Sequence, residues 1–475
     1  MNAQSLLQLR RLNPIVKGSV HAMKSITRNN THSEGLFSSI QNFYSSFHLS
    51  SLAKQANFTK LKGFSFNVLF CYLISTIFSH HSAYRDHLQK RDQLPFSDKT
   101  FRNLLNDGRI NWQHFLLLIS QKVVSYFRSL TSEDRKDVFI IDDSIYARPN
   151  GKKVELSAIQ YDHAKKEYVR GFRFLQLGWS DGNSFLPVSF SLLSGKNQSV
   201  NEKNTDKRTN SGKRKAQANR KGTEVMIELL DQALRVGHQA KIVLFDSWFS
   251  SPKTFRAVRS INLHAIAMIK RSSKIHYQFQ HQLMDVKAIF QMKKKRRGRS
   301  RYLLSVIVEV VYEDGQSLPI KLVYVRNRNK RNDYLVLAST DITLTEDEII
   351  QLYGKRWSIE VYFKMCKQYL HLTKYQGLSY DGIFAHCVLV ATSYIILSLR
   401  QRQEIDDRTI GELFYLTVEE LSDLTFSEAI RNLIELFHDA FKAEPVLRRE
   451  VLDNVIERFI ETLPQVIQKQ VLNAA

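Results

Sequence analysis

The 475 residues carry 69 Lys and Arg against 46 Asp and Glu, a net charge of +23. With 43% hydrophobic and 24% charged residues, the chain has the composition of a globular protein with a full-sized core rather than a disordered one. The charge excess calls for a polyanionic partner, nucleic acid or an acidic membrane surface. Its three cysteines, Cys71, Cys366 and Cys387, form no C-x-x-C or Cys/His cluster. That spacing argues against a disulfide framework and a structural zinc, and it fits a reducing compartment.

The charge is uneven. Residues 403–475 hold 7 basic and 15 acidic residues, a net of −8, which leaves +31 on the other 402. The acidic end is therefore not the polyanion-binding part. No signal-peptide pattern opens the chain. The most apolar stretches, 68–78 and 387–399, are expected to be buried helices, too short and too polar to span a bilayer.

In chain order, residues 1–130 read as helical. An apolar run covers 63–79. Ser97 starts a helix that Gly108 is placed to end, and Asn111 can cap a third helix over 112–130. Two helices around Asn106-Asp107-Gly108 share the outline of a helix-turn-helix, and an ordinary helical hairpin fits as well. The pattern changes at Val138-Phe139-Ile140-Ile141, a buried strand ending at Asp142-Asp143-Ser144. Apolar runs over 168–179 and 184–192 flank Asp181-Gly182-Asn183, a hairpin signal. Residues 197–221 form a polar loop with 8 Lys and Arg, expected to be mobile and near phosphates. A helix over 223–236 follows, then a second buried strand, 241–245, ending at Asp246. A helix at 251–260 and a strand at 263–269 come next. Seven of the nine residues 293–301 are basic, a pattern common in solvated phosphate-binding loops. Strands are expected at 302–312, 318–326 and 334–339. Thr345 and Glu348 make a capping box for a long helix through Lys367. An apolar helix covers 383–400, with His386 and Cys387 in the core, and amphipathic helices follow from Asp406.

A carboxylate at the end of a buried strand is costly unless it meets a cation. One such residue is ordinarily a turn or cap; Asp142 and Asp246 together, in a basic chain, suggest a shared metal site at the strand ends. On a continuous helix Tyr353, Arg356, Glu360 and Lys367 fall within ~60° of one another, with Lys364 beside them. A solvated face with a Glu360–Lys364 pair would account for the charges alone. Asp162-His163 reads as ordering a strand or loop rather than as a metal pair.

Tyr353-x2-Arg356-x3-Glu360-x6-Lys367 matches in full the Y-x2-R-x3-E-x6-K signature of a large branch of bacterial insertion-sequence DDE transposases. Ile141-Asp142-Asp143-Ser144 and Leu244-Phe245-Asp246-Ser247-Trp248-Phe249 resemble that branch's first and second Asp motifs. Tyr161-Asp162-His163, Gly171-Phe172 and Leu177-Gly178-Trp179-Ser180-Asp181-Gly182 are similar to one of its subgroups. The resemblance covers about residues 137–400. It implies an α/β, ribonuclease H-like mixed sheet with helices and a β-rich insertion, flanked by helical regions. It further implies three parts: a DNA-end-binding domain at 1–130, a catalytic domain at 131–400 with its insertion at about 270–340, and an acidic helical region at 401–475, a candidate for dimerisation.

The resemblance makes Asp142, Asp246 and Glu360 the catalytic and metal-holding carboxylates, with Asp143 the alternative to Asp142. Two Mg²⁺ ions, with Mn²⁺ as substitute, would clamp the attacking and departing oxygens of a phosphodiester. Tyr353, Arg356, Lys364 and Lys367 would hold DNA. Trp248 and Trp357 are conceivable platforms for a flipped base, although core packing is the plainer role for either. The implied partners are double-stranded DNA with terminal inverted repeats, target DNA and a second copy of the chain, in a bacterial cytoplasm and away from membranes. Rival readings are a hydrolytic nuclease on the same fold and a repurposed or inactive DNA-binding protein.

Overall fold

The computed structural model describes residues 36–58, 63–78, 82–89, 94–131, 135–163, 165–195, 206–296, 300–327 and 333–403. The chain divides into two compact units, residues 42–418 and a second made of 1–41 with 419–475, of which only 36–41 are described. The helices expected from Asp406 onward, and residues 197–205 and 297–299 of the two basic segments, lie outside the described residues.

Helices come first: α1 (Leu36–Ser46), α2 (Leu49–Gln55), α3 (Phe66–Phe78), α4 (Ala83–Gln89), α5 (Asp98–Leu105) and α6 (Trp112–Ser129). Asn111 caps α6, its side chain accepting from His114 N at 3.1 Å. Gly108 does not end α5. The helix stops at Leu105, where the Asn106 side-chain amide donates to the Arg102 carbonyl at 2.9 Å alongside the Asn106 backbone N–H at 3.0 Å. α6 packs against strand β4 (Phe185–Leu193) and the last helix, α13 (Tyr380–Gln403). These helices and the sheet thus share one core within residues 42–418.

The sheet is mixed. Strands β1 (Val138–Ala147), β3 (Glu167–Ser180) and β4 are antiparallel neighbours, and β5 (Ile242–Phe245) and β6 (His264–Met268) continue from β1 in parallel. The order β4-β3-β1-β5-β6 is the ribonuclease H-like arrangement expected from the sequence. β2 (Ala158–Asp162) pairs with the N-terminal half of β3. All nine residues of β4 are buried, so both of its faces are covered. α6, α7 (Asn210–Ala218), α8 (Gly222–Val236), α12 (Trp357–Gln368) and α13 all touch it. Asp181-Gly182 turns the β3–β4 hairpin: the Asp181 carboxylate accepts from Asn183 N and Ser184 N at 2.9 and 2.8 Å, and Gly182 takes φ +92°.

The insertion continues the same sheet. β11 (Tyr334–Ser339) pairs antiparallel with β6, then β10 (Ser317–Arg326), β9 (Tyr302–Val311), and the short β7 (Tyr277–Phe279) and β8 (Gln282–Met284) follow outward. Between β5 and β6 lies α9 (Pro252–Ser260), capped by Ser251, and between β8 and β9 lies α10 (Val286–Met292).

Four expectations need correction. β1 does not end at Asp142 but runs to Ala147, because β3 pairs with it throughout while its parallel partner β5 stops opposite Ile141. The basic segment 197–221 is not all loop: α7 lies within it, with Arg214 buried. The long signature helix is two helices, α11 (Glu346–Gly354) and α12, separated at Lys355-Arg356. Gly354, a weak helix former, ends the first. The amides of Lys355, Arg356, Ser358 and Ile359 then bond three residues back rather than four, a tighter turn than the α-helix. Finally, the helix at 380–402 is long and apolar enough to cross a membrane by length and composition, contrary to the shorter span expected. Its apolar window is wholly buried inside the protein, as a core helix requires.

Candidate active site

The parallel register of β1 and β5 ends at Ile141 opposite Phe245. The next residues are Asp142, within β1, and Asp246, just after β5, near enough for the Asp246 charge to act on Asp142. Neighbouring side chains on β1 point to opposite faces, and the two adjacent aspartates have different partners. Asp142 Oδ2 pairs with Arg356 Nη1 at 2.7 Å, and Asp143 Oδ2 pairs with Arg173 at 2.7 Å. Ser144, two residues beyond Asp142, accepts from Lys367 Nζ at 2.7 Å.

Glu360 arrives on the first turns of α12. Its Oε1 takes Arg356 Nη2 at 2.5 Å, so a single guanidinium lies between Asp142 and Glu360. Arg356, not Lys364, is thus the partner of Glu360; Lys364 is exposed. Of the two candidate first aspartates, Asp142 is the one that shares a cation with Glu360. Asp246 accepts from Trp248 N at 2.8 Å.

Burial pushes the Asp142 carboxyl up to about 7. Arg356 opposes that rise and the Asp246 charge adds to it. Asp143 is raised for the same first reason, against Arg173. Burial thus outweighs Arg356 at Asp142 and Arg173 at Asp143. The donors Asp142, Asp246 and Glu360 are all oxygen, the ligand type Mg²⁺ and Mn²⁺ prefer, and in donor chemistry and charge they fit such an ion. They do not form a closed cage: among the described residues no three His, Cys, Asp or Glu side chains gather around one point.

Tyr353, at the end of α11, is brought to the same place. Its ring lies 5.9 Å from the Arg356 guanidinium carbon. Burial pushes the phenol up to about 12, Arg356 lowers it, and Asp246 and Asp142 raise it. Its buried hydroxyl has no hydrogen-bond partner among the described residues. Such a group is costly to leave unmade, and this one stays protonated, a donor without an acceptor.

Trp248 and Trp357 are 46% and 64% exposed, so the core-packing role expected for them is overturned. Trp357 opens α12 beside the break. Trp248 sits among cations, with Arg173 and Lys270 at 4.7 and 5.0 Å from its ring and the His163 ring at 5.5 Å. Arg173 and Lys270 escaped the sequence reading. The usable signal for Arg173 was a charge inside the apolar run of β3. His386 and Cys387 are buried as expected, and Asp162 orders its own turn by accepting from Lys165 N at 3.2 Å.

The raised Asp142 carboxyl has a consequence for stability. A carboxyl whose folded value exceeds its unfolded one keeps its proton in the native chain where the unfolded chain has lost it. It therefore opposes folding increasingly as pH rises from about 4 to about 7, and fully above. The rise from 3.8 to about 7 corresponds to about 4 kcal/mol. Asp142→Asn is thus expected to melt several degrees above the parent at about pH 8, with the advantage fading below about pH 5. A variant that melts below its parent at both pH values would show that Arg356 outweighs burial there.

Residues 88–309, a little under half of the chain, match the family model described as DDE superfamily endonuclease. That stretch contains β1 with Asp142, and Asp246 after β5; it stops before Tyr353, Arg356, Glu360 and Lys367. No curated protein matches the chain. The ribonuclease H-like sheet and this match together support a DDE transposase-type protein, a transposase-like nuclease of a class that uses divalent metal ions.

Proposed function

We propose that this chain is a DNA transposase that cuts at the terminal inverted repeats of an insertion sequence and joins the freed ends to target DNA. The observation that most supports the reading is that Asp142 and Asp246 directly follow the last paired residues of β1 and β5, and that one guanidinium, Arg356, bonds both Asp142 and Glu360. Asp142, Asp246 and Glu360 would hold two Mg²⁺ ions, or Mn²⁺. Such ions would supply activation of a water or a DNA 3′-hydroxyl and charge stabilisation of the departing oxygen.

The chain's own groups do the rest. The unpaired Tyr353 hydroxyl donates to a phosphate oxygen. Arg356 offers its planar fork to phosphate when DNA competes for it, and Lys367 adds a point charge steadied by Ser144. Lys364, Trp357 and Trp248 lie exposed for contact with the DNA end. The net charge of +23 draws the duplex in. α6 is packed on β4 and α13, so the region 1–130 would contact DNA ends through residues other than the buried face of α6. Pairing two ends requires a second copy of the chain.

The test uses purified chain, Mg²⁺, low salt and a labelled duplex bearing the inverted repeats that flank its gene, with Asp246→Asn in parallel. Cleavage at the repeat boundary with joined product, both lost in the variant and on chelation, is the expected result. Cleavage that never yields joined product would make the chain a hydrolytic nuclease. Specific binding with no metal-dependent cutting would make it a DNA-binding protein.

A further inference from the structure

Lys355 lies in the break between α11 and α12 and was passed over in the sequence. The residue is half-buried, and among the described residues its ammonium makes no ion pair with a carboxylate. It donates to two backbone carbonyls, Lys136 O at 2.6 Å and Asp181 O at 3.2 Å. These carbonyls flank the paired ends of β1 and β3, where Val138 stands opposite Ser180. Gly182 makes room for the lysine stem: a Cβ there would stand 2.9 Å from Lys355 Cε, and φ +92° keeps the position glycine-like. A second tie runs alongside, Lys136 Nζ to Glu348 Oε1 on α11 at 2.6 Å.

The next residue, Arg356, reaches the other way, to Asp142 in the middle of β1. Two successive side chains therefore grip one strand at two points, its beginning and its catalytic position. A single attachment would leave the segment 353–356 free to rotate about it; two fix both its height along β1 and its rotation. The turn between the helices is held by three-residue backbone bonds, which are weaker in geometry than helical ones. It needs an outside anchor to keep one conformation.

We infer that Lys355 is a positioning residue: by binding the carbonyls of Lys136 and Asp181 it sets the break that presents Tyr353, Arg356 and Glu360 to Asp142. The kinetic consequence rests on the cleavage reading above; the structural one does not. A misplacement of about 1 Å at such a site can cost about a hundredfold in rate.

The experiment compares Lys355→Met, which keeps the stem and loses the donors, with Lys355→Arg, which keeps donors and charge. Two readouts are taken on the full chain. In single-turnover cleavage, Lys355→Met is expected to cut at least about tenfold slower, with affinity for the DNA end within about threefold of the parent, and Lys355→Arg to recover most of the rate. In hydrogen exchange, peptides covering 353–360 should exchange faster in Lys355→Met while those from β1, β3 and β4 stay protected. Parent-like exchange at 353–360 overturns the inference. So does a uniform rise in exchange across the sheet with activity lost only in step with unfolding. If the parent itself cuts no DNA, the cleavage reading fails, and the exchange comparison still decides the role of Lys355.

Discussion

Glu360→Gln is expected to slow cleavage of the DNA end by on the order of a thousandfold, about 4 kcal/mol of barrier, while leaving DNA binding intact. Glutamine keeps the length, the shape and one acceptor oxygen. It can still take a hydrogen bond from Arg356, whose Nη2 lies 2.5 Å from Glu360 Oε1. What it removes is one negative charge among three, where Asp142, in the middle of β1, already feels the charge of Asp246, just after β5. A divalent ion held by oxygen donors loses far more from that change than a structural hydrogen bond does. Binding should hold or tighten, since one fewer anion faces the phosphates. The checks are cleavage under single turnover and a binding isotherm in Ca²⁺. Parent-like cutting by Glu360→Gln would remove Glu360 from the chemistry and leave the two aspartates without their third partner.

The parts of this site that were legible in the sequence are those set by local pattern. Two short apolar runs closing on Asp142 and Asp246 are strands whatever surrounds them, and the Asp181-Gly182 turn between apolar runs makes a hairpin on its own terms. The spacing of Arg356 and Glu360, one helical turn, brings them together even though the helix is broken just before Trp357. Less legible was everything decided by distant chain. β1 runs past Asp142 only because β3 pairs with it to Ala147, and no feature of 143–147 announces that. The helix wheel placed Tyr353 correctly near Arg356 but for an incomplete reason, since the two lie on either side of the break. The break itself went unread, and its anchor, Lys355 on the carbonyls of Lys136 and Asp181, joins residues more than 170 positions apart. Likewise Arg214 looked like one more cation in a basic loop until its partner appeared 167 residues away.

That buried partner sets the largest expected loss of stability. Arg214 and Asp381 are 4% and 5% exposed. Arg214 grips one carboxylate oxygen, Oδ1, with Nη2 at 2.6 Å and Nε at 3.2 Å, gives Nη1 to the Ile110 carbonyl at 2.7 Å, and lies 5.4 Å from the Phe384 ring. Asp381 Oδ2 accepts from Ser211 at 2.5 Å and faces Lys215 at 3.6 Å, which also pairs with Glu155 at 2.6 Å. All three guanidinium nitrogens and both carboxylate oxygens of the pair thereby have at least one hydrogen-bond partner, the condition under which buried charges are tolerated. The cluster joins α7, the turn before α6 and the first turn of α13, the helix that packs on β4. Asp381→Ala strips the carboxylate and leaves a guanidinium buried with only a carbonyl for company. The expected cost is about 3–5 kcal/mol, measured by denaturant unfolding. Removing both charges with apolar groups of similar size, Arg214→Met with Asp381→Leu, should recover much of that loss, because the desolvation of two ions disappears with them. The sign of the comparison is what matters. A double variant as unstable as Asp381→Ala would mean that the geometry of the bonds to Ile110 and Ser211, rather than charge compensation, holds α7 against α13. An Asp381→Ala variant within about 1 kcal/mol of the parent would mean that Glu155 takes over as partner of Arg214 and Lys215 once Asp381 is gone.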